Sequence, residues 1–336
     1  YLAVETTGIA GYVLAGYVHR DDRSAEAGLK YFLFGAATSA VMLYGLSLLY
    51  GFTGETNLNA IATVLASGEV ALATIVVAAG LIVVGVGFKM AVVPFHFWAP
   101  DVYEGAPTPV TAFVSTASKT AGFAVLMRVF ITGLTASGAW LPMLVALAAV
   151  SMTLGNLLAL AQTNIKRLLA YSSIAHAGYA LVAFVAYSEL GMAAMVYYLM
   201  AYVVTNLAAF GVVILVARSA GSDEIARYAG MSRRSPYLAL AMLVAFLSLA
   251  GMPPLAGFFG KFYVFAAAVN AGLVWLAFVG VLNAIVGLYY YLAVLKVVYV
   301  SPAPEGAAAV DVPRAYGFAL AVLSVGIILL GTASAP

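Results

Sequence analysis

Apolar residues run through this sequence in stretches far longer than a soluble helix or strand needs, separated by short polar clusters. A helix needs about 20 mostly apolar residues to cross a bilayer. Ten stretches reach or approach that length: 1–18, 28–50, 70–93, 108–131, 140–161, 166–187, 191–217, 236–270, 272–299 and 314–334. The pattern predicts an all-α polytopic membrane protein with about ten spans. The clusters between spans alternate in charge. One set holds His19, Arg20, Arg23, Lys30, Lys166, Arg167, Arg218, Arg227, Arg233, Arg234, Lys296 and Arg314. The other holds Glu55, Glu69 and Glu189, with Arg128 near a helix end as its only cation. Cytoplasmic loops collect Lys and Arg, so the first set is expected on the cytoplasmic side. The alternation itself supports the helix count.

Two spans are irregular. The run 236–270 would reach about 50 Å as one helix, and it contains Gly251, Met252, Pro253, Pro254 and Gly257. Proline removes a backbone donor and clashes with the preceding turn, so a broken helix is expected there, with Lys261 just beyond the break. The run 70–93 carries Gly80, Gly85 and Gly87 before Lys89, and Pro94 follows. Interrupted helices in corresponding positions of two halves point to inverted repeats with sites at the breaks. The layout predicts inverted five-helix repeats over 1–133 and 134–300, then a cytoplasmic loop and final helix over 301–336. The first copy is expected to lack its opening helix. The sequence opens on Tyr1 inside a helical stretch, without an initiator Met, a charged n-region or a cleavage site. It reads as an N-terminally truncated chain whose upstream helices precede this segment.

Composition removes other classes. Of 336 residues, 65% are hydrophobic and 8% charged, against roughly 25% charged in a soluble domain. Mean hydropathy is +1.05. Cysteine is absent, which excludes disulfides and thiolate metal sites. A net charge of +2 with no basic, aromatic-interleaved patch gives no reason to expect a nucleic-acid partner.

The informative residues are ionisable groups inside apolar runs. A lysine at bilayer depth costs at least about 2.5–3.5 kcal/mol on insertion scales, and such residues mark charge or proton pathways. Lys89, Lys119 and Lys261 are of this kind. Lys89 could instead snorkel toward the interface, and Lys261 could donate to carbonyls freed by the broken helix. Glu5 is the only acid well inside an apolar run; a buried carboxylate needs a cationic partner, and Lys89 is the candidate. His176 suits proton relay near neutral pH, although a lone histidine on an apolar helix also serves packing. No second ligand stands at i+3 or i+4 to suggest a metal. Lys30 and the segment carrying His96, Asp101 and Glu104 fall at the cytoplasmic boundary, as hydrated interface residues or a further part of the pathway. That segment, rich in proline and aromatics, is expected to form an ordered re-entrant or interfacial loop. Tyr197, Tyr198, Tyr202 and Asn206 form a face suited to packing or to hydrating a polar axis. No nucleotide loop, nucleophile arrangement or paired-carboxylate site is visible, so any redox cofactor is expected in a partner.

At PFHFWAPDVYEGAPTPVTAFVSTASK the chain resembles the antiporter-like proton-pumping membrane subunits of complex I, NADH-quinone oxidoreductase, and most closely its subunit N branch. The stretches EAGLKYFLFGAATSAVMLYGLSLLYG, LALAQTNIKRLLAYSSIAHAGY and SLAGMPPLAGFFGKFYVF extend the resemblance over roughly 1–300. It implies a fourteen-helix fold with two inverted repeats, entered here at the fifth helix. Matched by motif, Glu5 is the fifth-helix glutamate, Lys89 the lysine of the broken seventh, Lys119 that of the eighth, His176 a tenth-helix histidine and Lys261 the lysine of the broken twelfth. The sister subunit M places a glutamate at the last position. Mrp-type antiporter subunits share part of the first motif.

The resemblance implies proton translocation along Glu5, Lys89, Lys119, His176 and Lys261, with Lys30 as a further candidate, coupled to quinone reduction elsewhere in a large bacterial inner-membrane complex. No cofactor is expected in this chain; flavin, iron–sulfur clusters and quinone belong to partner subunits. The expected partners are other membrane-arm subunits, among them a sister antiporter-like subunit and small membrane subunits, together with lipids. An Mrp-type cation/proton antiporter subunit and a non-pumping spacer of a membrane arm are the alternatives.

Overall fold

A computed structural model describes residues 1–18, 20–135, 138–303 and 308–333. His19, one of the polar-loop cations, lies outside the described residues, as do parts of the 301–336 segment.

The helices run in chain order as α1 (Leu2–Ala15), α2 (Asp22–Thr53), α3 (Leu58–Ala66), α4 (Leu72–Met90), α5 (Trp98–Gly105), α6 (Thr108–Phe113) and α7 (Lys119–Met127). They continue as α8 (Leu141–Ala159), α9 (Ile165–Val185), α10 (Glu189–Ala220), α11 (Met231–Arg234), α12 (Pro236–Ala250), α13 (Ala256–Asn270), α14 (Val274–Tyr299) and α15 (Arg314–Thr332). Among the described residues there is no strand, only an isolated bridge between Asn164 and Glu224. Eight helical stretches are long and apolar enough to cross a membrane; α1 and the broken pair α12–α13 complete the ten regions expected from sequence. The chain is a multi-pass membrane protein.

Local chemistry sets several boundaries. Asp21, Asn57, Asn164 and Ser188 cap α2, α3, α9 and α10 by accepting backbone N–H bonds. Gly54 and Gly221 end α2 and α10 in the left-handed conformation that only glycine adopts at no steric cost. The span Thr108–Gly133 is not uniform. A π-helical turn, Val114–Ser118, joins α6 to α7, and another, Arg128–Gly133, follows α7.

Both irregular spans are broken, with differences from the expected boundaries. The helix expected over 70–93 stops at Met90, where Ala91 turns left-handed with φ 56°. The segment after it is more helical than a loop: a turn spans 91–97, and α5 then forms. The second break lies between α12 and α13, at Gly251 with φ 87°.

Helix α9 sits at the centre. From Leu168 to Val185 every residue except Tyr171 is buried, because α5, α8, α10, α13 and α14 all pack against it. Its seam with α8 is made by glycine. A Cβ on Gly155 would lie 2.6 Å from the Ala175 nitrogen, and one on Gly178 would lie 2.7 Å from the Met152 nitrogen. Close backbone approach of this kind is how membrane helices gain packing without a hydrophobic driving force.

The apolar interior is divided into two clusters, one toward each end of the spans. One contains Tyr12, Tyr31, Val114, Ile165–Ile174 in part, Leu255 and Tyr290; the other contains Met42, Phe123, Ala175–Ala186 in part, Val264 and Leu276. The two clusters meet part-way along the spans, and many of the buried polar residues lie where they meet, others such as Ser24, Asn164, Lys166 and Ser235 lying at helix ends. On α9 the change falls between Ile174 and Ala175, beside His176. On α13 it falls between Ala256 and Val264, around Lys261. Lys119 lies between Val114 and Phe123. Ser39 on α2, Asn156 on α8 and Asn283 on α14 occupy the same interval of their helices.

Candidate functional site

Several polar residues of this mid-layer are hydrogen-bonded to one another, and Lys89 is not among them. At one end, Ser39 Oγ donates to Glu5 Oε1 at 2.6 Å. Glu5 makes no ion pair with Lys89 within 4.0 Å; its partner in this structure is the serine. The Lys89 amine is buried, with 7% of the residue exposed, and Nζ meets no hydrogen-bond acceptor among the described residues. It lies 5.6 Å from the ring centre of Tyr12 and 5.7 Å from that of Phe88, and a Cβ on Gly8 would stand 2.5 Å from it. Gly8 is one turn beyond Glu5, so lysine and glutamate are neighbours along α1 without a direct contact.

Lys89 and Lys261 differ in what they do at the breaks. Lys261 lies after its break and reaches back, donating to Leu249 O at 2.9 Å and Ala250 O at 3.0 Å. It satisfies carbonyls that the end of α12 leaves unpaired. Its Nζ also lies 5.0 Å from the ring centre of Tyr179. Lys89 lies before its break. There the Phe88 carbonyl, which accepts from Ala91 N at 3.0 Å, also accepts from Trp98 Nε1 at 3.2 Å, and Val93 N donates to Ser151 Oγ at 3.0 Å. Trp98 closes the first break as Lys261 closes the second, which leaves the Lys89 amine without that duty.

Lys119 follows the first π-helical turn directly; such turns widen the helix and occur often at functional sites. It is 1% exposed and donates to the backbone carbonyl of Ser173 on α9 at 2.6 Å. Gly122, one turn on, faces Lys89: a Cβ there would lie 3.1 Å from Lys89 Cβ. Lys119 thus shares a helix with the contact to α4 and bonds to α9.

His176 lies one turn beyond Ser173. Its Nδ1 is 2.6 Å from Tyr198 OH and its Nε2 is 3.2 Å from Tyr291 OH. Tyr291 OH is also hydrogen-bonded to Ser172 Oγ, and Tyr103 OH is 3.1 Å from Ser173 Oγ. Tyr198 packs on α13 at Gly260, the residue before Lys261. A crevice of only about 10 Å³ runs beside His176, Tyr198, Tyr202, Thr205 and Ser248. From Tyr179 the network extends to Asn156, which donates to Tyr179 OH at 3.2 Å and accepts from Tyr290 OH at 3.0 Å. Asn206 donates to Ser115 Oγ at 2.8 Å and to Tyr202 OH at 3.1 Å. These hydroxyls and amides surround His176 and reach the helices that carry Lys119 and Lys261, while the Lys89 amine and the Lys261 amine make no hydrogen bond to them.

Lys30 belongs to a separate charged cluster at the Lys/Arg-rich end. It donates to Asp101 Oδ2 at 2.6 Å and pairs with Glu26 at 2.6 Å. Arg167 binds Asp101 at 2.8 Å and Glu104 at 2.9 Å. These pairs tie α2, α5 and α9 together around an open polar cavity of about 240 Å³. Partial burial would raise the Asp101 pKa, but hydrogen bonds from Lys30 and Arg167 outweigh it and hold the carboxyl below its usual value. His96, in the turn before α5, is 6% exposed, and burial lowers its pKa.

Among the described residues, no three His, Cys, Asp or Glu side chains stand together as a metal site. Sequence reasoning singled out the charged members of the mid-layer and Tyr198, Tyr202 and Asn206. It missed Ser39, Tyr103, Asn156, Ser173, Tyr290 and Tyr291. A weak signal existed in Asn156 and Asn283, amides inside apolar spans, which need partners there.

The sequence model of the family described as NADH:quinone oxidoreductase/Mrp antiporter, transmembrane, matches residues 1–287. The chain belongs to this family. It is 50% identical over 297 residues to NADH-quinone oxidoreductase subunit N of Heliobacterium modesticaldum, which covers 88% of this chain and 62% of that one. It is 48% identical to the subunit N of Moorella thermoacetica over all of this chain and 71% of that one. The chain thus spans about three fifths to seven tenths of the length of these relatives. A chain of the Thermus thermophilus respiratory complex I with bound aureothin superposes with a TM-score of 0.85 at 40% identity, over 98% of this chain and 71% of that one. The residues of the family resemblance, Glu5, Lys89, Lys119, His176 and Lys261, all fall in the mid-layer, and Lys30 does not.

Proposed function

We propose that this chain is a proton-translocating membrane-arm subunit of a bacterial respiratory NADH-quinone oxidoreductase. Its subunit N relatives support the assignment. The observation that carries the mechanism is the row of ionisable groups from Glu5 to Lys261, its lysines and histidine buried, at the level where two apolar clusters meet. A membrane protein maintains such a row at a cost that packing alone does not explain.

In this reading the chain sits in the inner membrane with the Lys/Arg-rich loops cytoplasmic, built of inverted repeats within 1–133 and 134–300. Its partners are a sister antiporter-like subunit, small membrane subunits and lipids; flavin, iron–sulfur clusters and quinone reside in other subunits. Quinone reduction elsewhere shifts the charge seen by Glu5 and Lys89. When Glu5 turns toward Lys89 it holds the ammonium; with the carboxylate on Ser39, as in this structure, the lysine loses that support and releases its proton. Lys119 exchanges with Lys89 along their shared contact at Gly122, the hydroxyls around Ser173 and His176 bridge onward, and Lys261 completes the row. Moving one charge against the membrane potential takes about 2.3 kcal/mol per 100 mV, and each unit of pKa change supplies about 1.4 kcal/mol. Modest electrostatic switching therefore suffices.

The test is proton uptake into vesicles carrying the assembled complex with Lys89→Ala or Lys261→Ala. Normal assembly with a lowered proton-to-electron ratio is expected; an unchanged ratio refutes the pathway. Sodium-dependent transport without quinone chemistry would assign the chain to the antiporter branch of its family.

A further inference from the structure

Beside Lys89 lies a half-open cavity of about 170 Å³, bounded by α1, α2, α4 and the Thr108–Gly133 span, with room for the head and first carbons of a ligand whose remainder leaves through the open side. Its lining is apolar, with Val4, Met42, Val86 and Val125 among the walls, except for Lys89, Thr7 and Ser118. The Lys89 amine has no acceptor among the described residues and is more than nine-tenths buried. Glu5 does not line the cavity, since its carboxylate is turned to Ser39. A half-open apolar space with one buried amine and two hydroxyls has the chemistry of a site for an amphipathic anion.

Depth narrows the class. Gly8, which abuts the amine, is seven residues from the end of α1 at Ala15, about 10 Å of helix. A bilayer core is about 30 Å thick, so the amine sits well inside it. A phospholipid headgroup is held at the interface by its glycerol and two chains. A single-chain carboxylate can lower its head to this level when neutral and ionise against the amine.

We propose that this cavity binds a free long-chain carboxylate, its head on Lys89 Nζ and its chain along the apolar wall. The bound anion competes with Glu5 for the same ammonium. It therefore holds Lys89 charged; this consequence alone rests on the proposed function, while the binding does not.

The experiment uses a diazirine-bearing palmitate added to the full-length chain, with its accompanying subunits, in zwitterionic vesicles. Photolabelled peptides are read by mass spectrometry. Labelling of peptides carrying Val125 or Met42 is expected. It should fall at least about tenfold in Lys89→Gln, a change of about 1.4 kcal/mol. It should rise in Glu5→Gln, where the competitor is gone, and fall in Val125→Trp, which fills the space but keeps the amine. A palmityl alcohol probe of the same length should label these peptides weakly. Equal labelling by the alcohol, an unchanged signal in Lys89→Gln, or stronger labelling by a diazirine phosphatidylglycerol would overturn the proposal. Vesicle pumping measured on the same variants reports the function separately: intact pumping in Lys89→Gln refutes the pathway without touching the binding result.

Discussion

Lys119 donates its amine to the backbone carbonyl of Ser173, 2.6 Å away, and this bond joins the Thr108–Gly133 span to the central helix α9. The carbonyl belongs to a regular helix and has its own helical partner, so the bond is not needed to complete α9. Replacing Lys119 by Met keeps the volume and removes a buried amine, a change often neutral or stabilising. Lys119→Met is therefore expected to assemble with an unchanged or raised melting temperature while proton uptake falls. Full pumping in vesicles would show that this lysine is structural.

Lys261→Met should behave differently in unfolding. Its amine is the donor to two carbonyls at the end of α12, and a buried polar group left unsatisfied costs about 1–3 kcal/mol. A thermal melt of the purified complex should place Lys261→Met clearly below Lys119→Met. Equal melting temperatures would mean that the break does not depend on the lysine.

Tyr291 contacts both Ser172 and His176. Tyr291→Phe keeps the ring against Phe246 and Tyr290 and removes only the hydroxyl. Assembly should be normal and pumping reduced, with a further loss in Tyr198→Phe/Tyr291→Phe, where His176 loses both ring partners. Pumping equal to the parent in the double variant would remove the histidine bridge from the pathway.

Asp101 makes part of the fold sensitive to acid. Its folded pKa lies below the unfolded value, so its pairs with Lys30 and Arg167 add stability above the ordinary aspartate pKa, about 3.9. That stability is lost as pH falls through the lower folded value. The groups are about one-third exposed, so the two pairs together are worth on the order of 1 kcal/mol after screening. The gap in stability between parent and Asp101→Asn should be constant from pH 8 to 5 and close in stronger acid. A gap that opens on acidification would contradict the pairing.

Gly178→Val tests the seam under His176. The new side chain would press on Met152 and on the Ala148 carbonyl, and overpacking of a close seam costs about 1–3 kcal/mol. Lowered yield and melting temperature are expected, and a parent-like melt would show that α8 yields.

The ten spanning regions were legible because a span is a local property: about 20 apolar residues in a row suffice, wherever they pack. Lys89, Lys119, His176 and Lys261 were legible for a related reason, since charge inside an apolar run is conspicuous by itself. The expected Glu5–Lys89 pair was not resolved at that level. Both residues demand a partner, but the geometry gives the carboxylate to Ser39 and leaves the amine beside a cavity. The supposed equivalence of the two broken helices was likewise too simple. Lys261 closes its own break, whereas at the one after Lys89 Trp98, held where α5 packs on α2 and α9, reaches the Phe88 carbonyl.

The sequence by itself determined the membrane class, the places where helices break and the buried charges, since each follows from the cost of exposing polar groups to lipid. Only the tertiary structure decided which groups touch. Partners such as Ser39, Tyr103, Ser173 and Tyr291 lie 34 to 119 residues from the side chains they serve or from the atoms they meet. They reach the mid-layer because neighbouring helices pack at matching depth, five of them directly against α9, and depth in a bundle is a relation between helices that no single stretch of sequence contains.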